Sequence, residues 1–172
     1  MSEVKVPDET HEAELSRWMD DYGDMLVRLA YGVLRDASLA QDAAQDTFVK
    51  AWKGRDSFRG ECSERTYLTG VLMNTCRDYL RTAWIRRTDR SASLDRLPEP
   101  YADAPEPDRT VIEAVLALPI NLRQVVLLRY WQNMKIKEIG ETLRLSPNTV
   151  KGRLKRAGKR LSTQLKGWYC NE

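Results

Sequence analysis

Leu145-Ser-Pro-Asn-Thr-Val-Lys-Gly-Arg-Leu-Lys-Arg-Ala-Gly-Lys-Arg-Leu161 reads as one helix with a prepared start. Ser146 is placed to cap free backbone N–H groups. Pro147 stands at the first helical position, where its missing N–H costs nothing. Val150, Leu154, Ala157 and Leu161 recur at spacings of four, three and four, which is one apolar face. Thr149, Lys151, Gly152, Lys155, Arg156 and Lys159 fall elsewhere on the helix, and the stretch holds no acid. A helix that is apolar on one side and purely basic on the other packs on a small core and faces a polyanion.

The residues before it complete a unit. Lys135-Ile-Lys-Glu-Ile-Gly-Glu-Thr-Leu143 is a shorter amphipathic helix with Ile136, Ile139, Gly140 and Leu143 inward, and Arg144 to Ser146 form the turn between the two. Two helices joined by a tight turn, the second one basic, make a helix-turn-helix. The second helix of such a unit enters the DNA major groove.

The charge distribution supports that reading. The 172 residues carry a net charge of +3. Residues 1–87 hold 13 Lys/Arg and 15 Asp/Glu (net −2), residues 88–108 hold 2 and 6 (net −4), and residues 109–172 hold 13 and 4 (net +9). A basic module on an otherwise acidic chain points to nucleic acid for the C-terminal third only. No apolar run approaches the ~18 residues a membrane span requires, and the first ten residues hold no signal core. Cys62, Cys76 and Cys170 are scattered, which suits reduced thiols and a cytoplasmic location. With His11 the only histidine and no C-x-x-C, no metal site and no cofactor are expected. No glycine-rich phosphate loop or nucleophile elbow is present, so an enzyme is not expected.

The rest of the chain reads as helical. A helical period runs from about residue 12 to 35. A second helix follows from Leu39 to about Lys53, with Ser38 expected as its cap. Its apolar positions are Leu39, Ala43, Ala44, Thr47, Phe48, Ala51 and Trp52, and its polar face carries Asp42, Gln45, Asp46 and Lys50. A loop over 54–63 leads to a third helix, Glu64 to about Arg87, capped by Ser63. Tyr67, Leu68, Val71, Leu72, Thr75, Cys76, Tyr79 and Leu80 form its inner face, and its last half has a basic edge. Residues 88–108 hold four prolines and six acids and read as an extended, flexible linker. Beyond it a short helix stops near Pro119, and a strongly apolar helix follows for which Asn121 is the expected cap. Asn133 then suits a left-handed turn. The fold expected is all-α: a small helical domain over 12–87, the acidic linker 88–108, and a second helical domain over 109–168 with the helix-turn-helix.

Several of these stretches resemble a known family. Asp42-Ala-Ala-Gln-Asp-Thr-Phe-Val-Lys-Ala-Trp52 resembles the D-x-x-Q-[DE]-T-F-x-[KR]-A-[LW] signature of bacterial RNA polymerase sigma factors of the extracytoplasmic-function (ECF) group. Leu127-Leu-Arg-Tyr-Trp131, Lys137-Glu-Ile-Gly140 and Thr149-Val-Lys-Gly-Arg-Leu154 resemble their second conserved domain, and Asn74 stands where the family has an asparagine. The match covers roughly residues 15–165. Two motifs in the right order are more specific than a lone helix-turn-helix.

The resemblance implies that the chain binds core RNA polymerase and directs promoter-specific initiation. Asp42, Gln45, Asp46 and Trp52 match the face that meets the clamp helices of the largest polymerase subunit, and the second domain would approach the flap region. Phe58, Arg59, Asn74 and Arg77 become candidates for capturing the −10 element as separated strand, where stacking and phosphate pairing offset the cost of unstacking. Asn148, Thr149, Lys151, Lys155 and Arg156 become candidates for reading the −35 element in the major groove. The family also implies stress or envelope-response control by an anti-sigma factor, often one held at the membrane. Three positions depart from the usual pattern: Gly152 for Ser, Gly140 for Ala and Tyr67 for Trp. A DNA-binding regulator acting without polymerase is the alternative, but it leaves Asp42–Trp52 and the acidic linker unexplained.

Overall fold

The structure is a computed structural model that describes residues 9–87 and 109–169, with side chains over 12–82 and 109–166. The acidic segment 88–108 lies outside the described residues, as does residue 170 onward. Seven α-helices and no strand occur among the described residues. They form two groups, α1 (Glu9–Leu34), α2 (Ala37–Lys53) and α3 (Glu64–Arg87), then α4 (Arg109–Leu116), α5 (Ile120–Val126), α6 (Ile136–Leu143) and α7 (Pro147–Tyr169).

In the first group the inner face of α2 is made of small residues. Ala40, Ala43, Ala44, Thr47, Phe48 and Ala51 are all buried, so α1 and α3 approach its backbone closely. Trp18, Leu26, Leu29 and Val33 of α1 and Leu68, Leu72, Met73 and Cys76 of α3 fill the remaining core. The hydroxyl of Thr47, which would cost free energy if left unpaired in this core, donates to Ala43 O at 2.7 Å. The cap of α2 is Asp36 rather than Ser38: its Oδ1 accepts Leu39 N at 2.8 Å. Arg35 ends α1 in a left-handed conformation, φ 58°, and brings Asp36 two residues ahead of Ser38 into the capping position. Ser63 caps α3 as expected, with Thr66 N donating to its Oγ at 3.1 Å. The segment between α2 and α3 contains one 3-10 turn, Arg55–Ser57.

In the second group α5 starts after Pro119, and Asn121 lies inside the helix instead of capping it. Leu122 N and Arg123 N both donate to Pro119 O at 2.9 Å. The proline's fixed φ sets the entry, so no side-chain cap is needed. α5 runs on through a π-helical turn, Leu127–Trp131, and the chain reverses at Asn133, φ 53°. Arg144, also left-handed at φ 56°, supplies the helix-turn-helix corner. In this chain the corner closes tightly over Gly140. Leu145 N donates to Gly140 O at 2.8 Å, and a Cβ at Gly140 would lie 2.7 Å from Leu145 O. On α7 the fully buried positions are Val150 and Ala157, while Leu154 and Leu161 are only half-buried. The inward face is thus narrower than four equal core positions.

The buried residues of the two groups form one continuous cluster. The contact runs from the C-terminal end of α1 to α5 and its π turn, and from α3 to α6.

Candidate polymerase and nucleic-acid interface

Three surfaces carry the residues singled out by sequence. On α2, Asp42, Gln45 and Asp46 are exposed along one stripe. Val49 continues it at 52% exposure. Val49 was missed in the sequence, although it stands seven residues after Asp42, two helical turns along the same face. Asp46 accepts the Tyr79 hydroxyl at 2.6 Å. That bond, with partial burial, pushes the Tyr79 phenol up to about 12. Tyr79 reads as a core residue in sequence, yet it also orients a surface carboxylate. Trp52 is half-buried at the flank. The Arg55 guanidinium covers its ring at 4.1 Å and donates to its carbonyl at 2.9 Å.

The second surface is the loop before α3 and one face of α3. Arg77 donates to Asn74 Oδ1 at 3.0 Å, so these two candidates are brought together, and Asn74 stays exposed. Arg59 is exposed in the loop. Phe58 is half-buried, its ring stacked on Tyr67 with centroids 4.6 Å apart. Tyr67 in turn donates to Ala51 O at 3.2 Å and passes close to Gly54, where a Cβ would lie 3.1 Å from its hydroxyl. One face of Phe58 is therefore occupied by the protein itself. Cys62, in the same loop, is exposed, and its thiol is pushed up by partial burial and by Glu138, Glu61 and Glu141. A thiol shifted that way is a poor nucleophile.

The third surface is α7. Asn148, Lys151, Lys155 and Arg156 are exposed, and Thr149 is half-buried. Ser146 caps the helix as the sequence suggests. Thr149 N donates to its Oγ at 3.1 Å, and the two hydroxyls lie 2.8 Å apart. The Thr149 hydroxyl is thereby held at the cap. Arg156, Lys159 and Arg160 flank a recess of about 280 Å³ against Pro119, Asn121 and Leu122 at the start of α5. No group of His, Cys, Asp or Glu suited to a metal occurs among the described residues, and no described helix is long and apolar enough to cross a membrane.

An acidic stripe, a loop-and-helix face and a basic helix thus occupy separate parts of one helical body. The profile for sigma-70 region 2 matches residues 18–87 and that for sigma-70 region 4 matches residues 108–161. The chain is 32% identical to the RNA polymerase sigma-E factor of Streptomyces coelicolor, over 88% of this chain and 86% of that one. It is 28% identical to the ECF RNA polymerase sigma factor SigW of Bacillus subtilis, over 96% and 95% of the two chains. Its fold is similar to that of the sigma factor RpoE of Bartonella quintana, solved in complex with the anti-sigma factor NepR, with a TM-score of 0.76 at 21% identity over 89% of this chain and 97% of that one. The two regions stand in the order that the sequence motifs imply, and the chain belongs to the ECF group of the sigma-70 family, the factors that direct RNA polymerase to promoters.

Proposed function

We propose that residues 12–87 form the domain that docks on core polymerase and captures the −10 strand, and that residues 109–168 form the domain that reads the −35 element, with 88–108 as the acidic connector. The factor then acts as an adaptor without catalytic chemistry of its own, in the cytoplasm where core polymerase works. Asp42, Gln45 and Asp46, with Val49 among them and Trp52 at the edge, meet the clamp helices. Arg59, Asn74 and Arg77 hold the separated strand, with Phe58 backing Tyr67. Asn148, Lys151, Lys155 and Arg156 contact the upstream duplex, with Thr149 holding the start of the helix. The observation that carries this reading is the segregation of charge. The exposed acids of α2 face away from the core on one group, and the acid-free basic face of α7 stands on the other. A duplex repels the first and attracts the second.

Control by an anti-sigma factor belongs to the same reading and is supported by the RpoE neighbour, which was solved bound to one. The test is in-vitro transcription with bacterial core polymerase on a genomic promoter library. Discrete start sites that depend on this protein are expected. Retained duplex binding without new transcripts would favour a regulator that acts without polymerase. Lys155→Ala should weaken upstream-duplex binding and lower the salt slope of log K by about one unit if it pairs a phosphate. An unchanged slope would remove Lys155 from that role.

A further inference from the structure

We propose that Gly152 sets part of this chain's promoter preference: it forms a notch at the crown of α7 that takes the C5 methyl group of a thymine in the −35 duplex. This rests on the proposed role of α7 in reading that element.

Glycine inside a helix costs free energy relative to alanine, because more backbone freedom is lost on folding. Three glycines of this chain have a packing reason to lack a side chain. A Cβ would lie 2.9 Å from Leu127 at Gly32, 3.1 Å from the Tyr67 hydroxyl at Gly54 and 2.7 Å from Leu145 O at Gly140. At Gly152 a Cβ would meet nothing within 4 Å outside its two chain neighbours and the backbone of its own helix. Gly23, Gly70 and Gly158 are open as well, so open space alone assigns nothing, and position decides. Gly152 is the sixth residue of α7. At about 100° per residue it stands roughly 150° around the axis from the buried seam of Val150 and Ala157. Gly158 stands only about 90° from that seam and ~9 Å further along the axis. The early turns of the second helix are the ones that meet base edges in a helix-turn-helix.

The rim of the notch is polar and long. Asn148, four residues before Gly152, and Lys155 and Arg156, three and four after it, are its neighbours on the same face, and all three are exposed. Arg156 Nε donates to Gly152 O at 3.4 Å, which lays that side chain along the notch. These side chains reach past Gly152 to phosphates or flanking base edges, so the helix backbone can come close to the pair in front of it. The floor of the notch is a Cα with its hydrogens. It offers a base edge neither donor nor acceptor. An amino group of adenine or cytosine, or guanine O6, would lose its water partner there without replacement. Thymine alone presents an apolar group in the major groove, its C5 methyl.

The test uses holoenzyme assembled from core polymerase and the full chain, on a promoter whose start depends on this protein. Each thymine of its −35 element, on either strand, is replaced in turn by deoxyuridine, which removes the methyl group alone. Competition binding should weaken about fourfold at one position, the worth of one buried methyl group. Gly152→Ala then moves a methyl group from the DNA to the protein. It should weaken binding to the thymine duplex by about fivefold or more, as overpacking does, and deoxyuridine at that same position should restore nearly the parental value. Gly158→Ala is the control. Both alanines should raise the melting temperature of the free chain, but Gly158→Ala should bind like the parent. An element in which no thymine methyl matters would overturn the proposal, as would a Gly152→Ala holoenzyme with parental affinity or a loss that deoxyuridine leaves unrescued. Lys155→Ala and Arg156→Ala separate the notch from the reading beneath it. If they weaken binding while Gly152→Ala does not, α7 reads the element without a notch. If no α7 variant changes binding, the assignment of α7 itself fails.

Discussion

α2 and α7 are both amphipathic, but they solve opposite problems. The inner face of α2 is four alanines, a threonine and a phenylalanine, all buried between α1 and α3. Its outer face has acids that the core does not need. α7 has two fully buried positions, Val150 and Ala157, and carries seven Lys and Arg between Lys151 and Arg160 or beyond at Lys166. The first helix is held by packing on two sides and displays the acidic stripe that we propose meets polymerase. The second is held by a narrow seam and displays the basic face that we propose meets DNA. Interior packing and surface charge lie on opposite faces of α2, whereas on α7 the basic face that we propose meets DNA rests on only two fully buried positions.

The sharpest way to break this comparison is to remove matched apolar groups. Leu72 is fully buried in the first group, so Leu72→Ala should cost ~2–5 kcal/mol by its cavity. Leu154 is half-buried on α7, so Leu154→Ala should cost about half as much, since less of it leaves water. Urea unfolding of each variant measures both, and equal losses would show that the seam of α7 is as deep as the first core.

Next in size is charge reversal on the displayed face. Asp46→Lys should weaken core-polymerase binding by at least tenfold, about 1.4 kcal/mol. Its stability should change by less than ~0.5 kcal/mol, because Asp46 is exposed and bears only the Tyr79 hydroxyl. A fluorescence binding curve and a melting curve give the two numbers. Parental affinity would take the stripe out of the interface.

The smallest effect concerns the tie between α1 and α3. Arg17 holds Glu64 through two bonds of 3.0 and 2.6 Å. That pairing lowers the Glu64 carboxyl from 4.5 to about 2. A carboxyl lowered on folding contributes fully above its unfolded value, near 4.5, and loses that contribution as pH falls toward 2. Arg17 is exposed and water screens the pair, so the contribution is small. Glu64→Gln should be less stable than the parent at pH 6, and the gap should narrow below pH 4.5 and close only near pH 2. A gap independent of pH would mean that the salt bridge adds nothing.

Much of the architecture was legible because amphipathic period and caps are local signals. The start of α3 with its Ser63 cap, the left-handed turn at Asn133 and the Ser146–Pro147 entry to α7 all appear in the structure where the residues place them. Two caps were misread for physical reasons. At α2, Asp36 and Ser38 are both good caps, and the left-handed Arg35 decided between them. At α5, a proline turn made the Asn121 side chain unnecessary. Among the site residues, the exposed acids of α2 and cations of α7 followed from helical spacing. Nothing in the sequence signals that Tyr79 orients Asp46 or that Phe58 is taken up by Tyr67. Each is a contact between neighbours that only folding brings together.

By itself, then, the sequence determined an all-helical chain, a helix-turn-helix with one basic face, a separate acidic stripe on α2 and the family to which both belong. These rest on spacing, charge and short motifs within single helices. Only the tertiary structure decided that Arg123 reaches across to Val33, that Gly32 lies against Leu127, and that α6 faces Asn74. Those pairings join residues about 65 to 95 positions apart, and no local period carries information over that distance.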